Sequence, residues 1–408
     1  MEITRPINRW FMSDLQTINQ DVRDRFEKLH RRVRKNEVMS GFYESAWEDM
    51  TQEYFDFYGR CTTEDHSLIR MMDRYANHVY RSIYDLKSCC RFFEVDYYRF
   101  QGVKDIKRTY SCSSKFCDGC QAKISQQRFE RFKPILDSLL PNFDVAHVVF
   151  TVPNVPLDEL NYTLDRMFLA FPHLIRFLKG AKFVSGVDFV KYGYSGCVRS
   201  LELVREPDGL YHPHFHCVFI FEKKSGVFKV GKHINDYSFS SSAPGKIRLF
   251  NDFTILMQKV WYLLINGVVV NKSNIDDLRQ GYDVFCERRN DFKEVFKYAT
   301  KGVLKWSQDL HEVLGSCHDF LTLDRILYGR RLIQAYGCLR GVQIADEVDQ
   351  TSDQDEFYNA LVEKLRSLEK PIQQRELLDN ILKEMHDYKA MKYISCKNVK
   401  SFIGAEEV

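Results

Sequence analysis

Residues 211–221 read YHPHFHCVFIF. His212, His214 and His216 fall at alternate positions, and the apolar run Cys217–Phe221 follows directly. Alternation places the three imidazoles on one face of a strand, while CVFIF has to enter a core. Upstream, Pro207, Asp208 and Gly209 separate this run from CVRSLELVRE at 197–206, so the pair predicts an antiparallel hairpin. Glu202 lies between Leu201 and Leu203, which face the core, and therefore shares the imidazole face. His214, His216 and Glu202 make a donor set for one divalent ion, with Phe215 packing on the opposite side. A His-x-His pair in a strand is also found as ordinary packing, and both readings stand on these residues alone. His212, one step from the turn, reads as a turn residue or phosphate contact rather than a ligand.

Two further constellations bear on chemistry. DFKEVFKYATK at 291–301 has helical periodicity; Glu294 and Tyr298 are four apart, and Lys301 lies three further along the same face. A phenol beside a carboxylate and an amine is a candidate nucleophile, and a half-buried tyrosine on an amphipathic helix is the plain alternative. In CSSKFCDGC, Cys112, Cys117 and Cys120 follow a C-x4-C-x2-C spacing, with Cys89 and Cys90 upstream. Four thiolates suit tetrahedral zinc. Cys90 is the expected fourth ligand of a Cys90–Cys112–Cys117–Cys120 site, and Cys89, pointing the other way on a strand, is the alternative. Arg91, Arg99, Lys104, Lys107, Arg108 and Lys115 in and near this module are candidates for DNA phosphates or a solvated basic face. Cys61, Cys197, Cys217, Cys286, Cys317, Cys338 and Cys396 are scattered and read as small apolar residues.

The 408 residues are 44% hydrophobic and 14% aromatic, which excludes a disordered chain. No run of 18 apolar residues occurs, so no membrane span is expected. The opening MEITRPINRWFMSD lacks the basic and apolar regions of a secretory signal, so a cytoplasmic protein is expected. The net charge of +3 is uneven: residues 341–408 hold 9 Lys/Arg against 14 Asp/Glu, leaving +8 on the first 340. A basic body is compatible with a polyanion partner.

Four segments follow from the patterning. Residues 1–86 are a helical N-terminal extension. Residues 87–130 are a Cys-rich zinc module: short strands, a turn through Cys112–Cys120, and a helix from about Gln121. Residues 131–306 alternate strands and helices: the strand HVVFTVPN, a long helix broken at Pro172, the hairpin, a helix over LFNDFTILMQKVWYLLI, a strand beginning at GVVVN, and the helix running from Asp291 to Trp306. Residues 307–408 read as mostly helical, with the acidic connector ADEVDQTSDQDE before a last helical pair.

Taken in this order, CSSKFCDGCQAKISQQR, HVVFTVPN, SLELV with HPHFHCVFIF, EVFKYATK and LYGRRLIQAYGCLRG resemble the single-tyrosine rolling-circle replication initiators of small bacterial plasmids, part of the HUH endonuclease superfamily. The resemblance runs from about Leu86 to about Gly341. It implies an α+β fold with an HUH catalytic domain, an antiparallel sheet with helices of the split ferredoxin-like kind, beside a small zinc module and helical extensions. It also implies Mg²⁺ or Mn²⁺ on His214, His216 and Glu202, structural Zn²⁺ on the cysteines, and DNA contacts from Arg108, Lys115 and Arg128. Tyr298 would nick origin DNA, single-stranded or extruded, leaving a 5′-phosphotyrosine and a free 3′-OH. Lys301 would neutralise charge, and Glu294 would activate water at termination. A host helicase and DNA polymerase are the implied partners, and the bearer would be a plasmid, an integrative element or a phage. A conjugative relaxase, a single-strand transposase and a zinc-containing DNA-binding regulator with an inactive site are the alternatives. The oligomeric state and the origin sequence are not legible.

Overall fold

The computed structural model describes residues 9–58, 66–223, 225–228, 250–288, 304–305, 317–341, 353–387 and 393–395. In chain order the elements are α1 (Arg9–Tyr58), α2 (His66–Ser88), β1 (Phe92–Tyr98), β2 (Val103–Thr109), α3 (Asp118–Leu139), β3 (Phe143–Thr151), α4 (Leu157–Leu178), β4 (Tyr194–Arg205), β5 (Tyr211–Glu222), α5 (Asp252–Ile265), α6 (Lys272–Asp277), β6 (Val284–Arg288), β7 (Leu304–Lys305), α7 (Cys317–Leu327), β8 (Ile333–Gly337), α8 (Asp353–Leu368), β9 (Ile372–Leu377), α9 (Leu378–His386) and β10 (Tyr393–Ser395). The fold is mixed α+β with two largely antiparallel sheets. Among the described residues, no helix is long and apolar enough to cross a membrane.

Two compact units form, residues 1–126 with 345–408, and residues 127–344. The chain's last part therefore lies in the same unit as its first. In the first unit the sheet order is β10-β2-β1-β9, antiparallel except for β10 beside β2. Phe26, Leu29 and Val33 of α1, Val79 and Ile83 of α2, Phe93 and Val95 of β1, and Ile381 and Met385 of α9 are buried. Phe26 and Phe93 meet edge to face at 5.1 Å. The apolar i, i+3, i+7 spacing of Phe26, Leu29 and Val33 explains why this stretch is helical and which side it hides. Lys104, a candidate phosphate contact by sequence, is instead internal. Its Nζ meets Glu376 at 2.5 Å, Glu384 at 3.1 Å and the Tyr393 hydroxyl at 3.1 Å, joining β2 to β9, α9 and β10. Lys107 pairs with Asp105 and Asp96.

The second unit has the sheet order β6-β3-β5-β4-β7, with β8 also on β4. Its centre is the hairpin read from sequence, with Glu202 opposite His214 and Leu201 opposite Phe215. One face carries the residues that pack on α4 and α5: Phe150 and Phe215 each meet Phe171 and Trp261, with ring centroids 5.2–6.1 Å apart. On the other face, Val145, Val198, Val218 and Ile220 pack with Phe132 and Leu136 of α3 and with Leu339. That apolar cluster covers the CVFIF end of the hairpin, and the imidazoles lie at the other end of the same face.

Several expectations are corrected. α4 runs through Pro172 without a break. Buried Leu164, Met167, Phe171, Leu174 and Leu178 flank it, and their packing outweighs the ~3 kcal/mol cost of an interior proline. GVVVN forms no strand: Gly267 turns at φ 69°, the Val268 N–H bonds to the Leu263 carbonyl at the end of α5, and Asn271 caps α6. Leu304 and Lys305, expected at the end of a helix, are a strand parallel to β4. The region expected to be mostly helical supplies β8, β9 and β10. Nearly all of β9 is exposed, so its polar sequence IQQREL carries no alternation to read.

Candidate functional site

The three donors predicted on the hairpin converge. Glu202 on β4 is 1% exposed, and His214 and His216 on β5 are 8% exposed. The Glu202 Oε2 atom lies 3.0 Å from His214 Nε2 and 2.5 Å from His216 Nε2, and the two Nε2 atoms are 3.1 Å apart. Ligands held at 2.0–2.1 Å in adjacent positions of an octahedron are about 3 Å from one another, so the spacing fits one divalent ion. Two imidazoles make the site softer than an all-oxygen one, which favours Mn²⁺ over Mg²⁺ in affinity. His212 stands outside this group, with its Nδ1 3.8 Å from Glu206. Burial first, then the neighbouring His214, holds the His212 imidazole below its ordinary value.

A fourth histidine, which the sequence reading passed over, completes the arrangement. His147 on β3 is buried, and its Nε2 lies 2.9 Å from Nδ1 of His216. The two rings stack at 5.2 Å with an 8° angle, and Phe285 of β6 meets His147 edge-on. His216 therefore turns one nitrogen to the donor cluster and the other to His147, an outer partner that fixes tautomer and ring orientation. Its signal lay in HVVFTVPN, where His147 interrupts an otherwise apolar strand. His147→Ala should weaken Mn²⁺ binding about 10- to 100-fold, read by calorimetric titration, and unchanged affinity would remove His147 from the site.

The cysteine cluster forms with one change. Cys89, Cys112, Cys117 and Cys120 gather their sulfurs within 4.8 Å. Cys89 Sγ lies 3.7 Å from Cys117 and 3.4 Å from Cys120, and Cys112 lies 3.6 Å from Cys120. Four sulfurs at 2.3 Å from a tetrahedral zinc are about 3.8 Å apart, so this donor set fits Zn²⁺. Cys90, the expected fourth ligand, is displaced by Cys89. The chain there is a turn ending α2, not a strand: Cys90 has φ 57° and donates its N–H to the Tyr110 carbonyl. Strand alternation therefore does not apply, and Cys90 Sγ, 3.8 Å from Cys89 Sγ, stands outside the group of four. Asn36 donates to Cys117 Sγ at 3.3 Å, and the Cys112 N–H donates to Cys89 Sγ at 3.5 Å. Hydrogen bonding to Cys117, then to Cys120 and Cys89, pushes the Cys112 thiol far up. The bonds from Cys112 and Cys117 hold Cys120 far down. Four thiols so placed cannot all ionise without a cation.

Of the candidate DNA contacts, Arg108 is 70% exposed at its side chain and pairs with Glu94 at 2.5 Å. Lys115 and Arg128 are half-buried. Burial, then Arg131, lowers the Arg128 guanidinium. Glu294, Tyr298 and Lys301 lie outside the described residues.

A sheet that gathers two histidines and a glutamate, in a chain that also gathers four cysteines, has the donor sets of a metal-binding α+β protein, and part of the chain is similar to replication proteins. Residues 103–241 match the Rep_1 family, described as "Replication protein", so that segment is similar to the replication proteins of that family. It includes Cys112, Cys117, Cys120, His147, Glu202, His214 and His216, and it ends before Glu294. The chain is similar to "Protein rep" of Streptococcus pneumoniae serotype 2 (strain D39 / NCTC 7466), at 28% identity over 134 residues. That stretch is 32% of this chain and 38% of the relative. No solved structure matches the chain.

Proposed function

We propose that the protein initiates rolling-circle replication by nicking one strand at an origin, with the second unit as an HUH nicking domain of the split ferredoxin-like kind. The observation that carries this reading is the convergence of Glu202, His214 and His216 within the segment that matches a replication-protein family. A bound Mg²⁺ or Mn²⁺ would supply Lewis-acid polarisation of the scissile phosphate. Glu202, His214 and His216 would hold that ion on one face of the sheet, and His147 orients His216. The Tyr298 hydroxyl attacks phosphorus, forms the P–O bond of a 5′-phosphotyrosine and expels the 3′ oxygen as a free hydroxyl. Chain order supports its proximity: Leu304 pairs with Leu203, the neighbour of Glu202, and Tyr298 precedes Leu304 by six residues. Lys301 neutralises charge at the phosphate, and Glu294 activates the water that resolves the adduct. The 3′-OH would prime a host polymerase, with a host helicase opening the duplex.

The test is covalent capture. The full chain is incubated with Mn²⁺ and a labelled single-stranded oligonucleotide from its own replicon. Wild type forms an adduct that resists denaturation, and Tyr298→Phe forms none. An equal adduct in the variant removes Tyr298 as nucleophile. No adduct in wild type, with DNA still bound, favours a zinc-containing DNA-binding regulator.

A further inference from the structure

We propose that the first unit carries a stacking pocket for single-stranded DNA on its sheet, apart from the nicking site. The proposal rests on DNA being the partner, and it names where that unit would hold it. A cavity of about 600 Å³ is lined by Tyr84, Phe92, Glu94, Arg108, Tyr110 and Arg375, among others. Exposed aromatic rings are the unusual feature: Tyr84 is 57%, Phe92 38% and Tyr110 45% exposed. Tyr84 continues into a row of rings, 5.2 Å from Tyr80, which is 5.1 Å from Trp47.

The charges beside these rings are built by strand register. Glu94 on β1 faces Arg108 on β2 and Arg375 on β9, so two guanidinia flank one carboxylate across three strands. The other acid in the lining, Asp85, accepts a hydrogen bond from the Tyr110 hydroxyl at 2.5 Å, which anchors that ring. The pocket thus offers flat apolar faces beside two guanidinia, those of Arg108 and Arg375, on either side of Glu94. Unpaired bases stack on aromatic faces whatever their sequence, and guanidinia take the phosphates between them. Stacked base pairs of a duplex hide those faces, so the chemistry selects single strands.

The experiment measures fluorescence anisotropy of the zinc-loaded full chain. The probe is a labelled 15-nucleotide single strand of mixed sequence lacking the origin, without Mg²⁺ or Mn²⁺. Tyr84→Ala combined with Phe92→Ala should weaken binding about 10-fold or more, while Tyr84→Phe keeps wild-type affinity. Arg108→Ala should lower the slope of log K against log salt by about 0.7. Binding to a blunt duplex of the same sequence should not change. Wild-type affinity for the single strand in the double variant overturns the proposal, as does an equal loss on duplex. If the double variant melts early or loses zinc, photo-crosslinking of wild type to an iododeoxyuridine strand decides. Adducts on Tyr84, Phe92 or Tyr110 support the pocket, and adducts confined to residues 127–344 overturn it. Neither readout uses cleavage, so failure of the Tyr298 adduct leaves them standing.

Discussion

Glu202→Gln should reduce metal-dependent nicking about 10³-fold or more while leaving the protein folded. The side chain keeps its shape but loses the charge that makes the cluster a cation site. In wild type its Oε2 sits within 3.0 Å of both His214 and His216 Nε2 atoms. Lewis-acid stabilisation of a phosphoryl transition state is worth several kcal/mol, and about 1.4 kcal/mol is tenfold in rate. Folding should be spared, because an amide can still hydrogen-bond the two imidazoles and no carboxylate is left buried without its cation. Three readouts separate the outcomes: nicking rate at saturating Mn²⁺, Mn²⁺ affinity by calorimetry, and the melting curve without metal. Near-normal nicking with normal Mn²⁺ affinity would mean that the ion, if one acts, is held elsewhere.

Cys89→Ala should empty the zinc site, and Cys90→Ala should not. Both thiols are buried neighbours, so burial alone does not separate them. The separation is geometric: Cys89 Sγ lies 3.7 Å from Cys117 and 3.4 Å from Cys120, whereas Cys90 Sγ lies 3.8 Å from Cys89 Sγ and outside the group of four. Structural zinc contributes roughly 10–16 kcal/mol at neutral pH, comparable to the whole stability of a domain, about 5–15 kcal/mol. Loss of one ligand should therefore unfold the first unit at ordinary temperature. Cys90→Ala leaves a small cavity, with a cost nearer 1–2 kcal/mol. Elemental analysis of gel-filtered protein reads the zinc, and circular dichroism reads the fold. Zinc retained in Cys89→Ala and lost in Cys90→Ala would restore the strand-based assignment.

The hairpin and its donors were legible because a strand's period of two is a local property of the backbone. Once Phe215, Leu201 and Leu203 face the core, Glu202, His214 and His216 must share the other face. The same holds for α1 and α2, whose apolar spacing needs no distant partner. Cys89 was misassigned because alternation was applied to a turn, where the positive φ of Cys90 reverses the direction of the chain. His147 was missed because it is 69 residues from His216 in the chain, and only the pairing of β3 with β5 makes them neighbours.

By itself, the sequence determined the local chemistry of this protein: a strand with a core end and a ligand end, a cluster of thiols, and a helical beginning. The tertiary structure alone decided which distant pieces complete each site. Strands β9 and β10 join β1 and β2 through main-chain hydrogen bonds and the buried Lys104 ion pairs, and β9 also sets Arg375 opposite Glu94. Hydrogen bonds of the main chain are the same for every residue type, so an exposed polar strand such as IQQREL leaves no mark in the order of its side chains. Its partner is chosen when the chain closes on itself, and that choice brings Arg375 opposite Glu94 and completes the lining of the pocket.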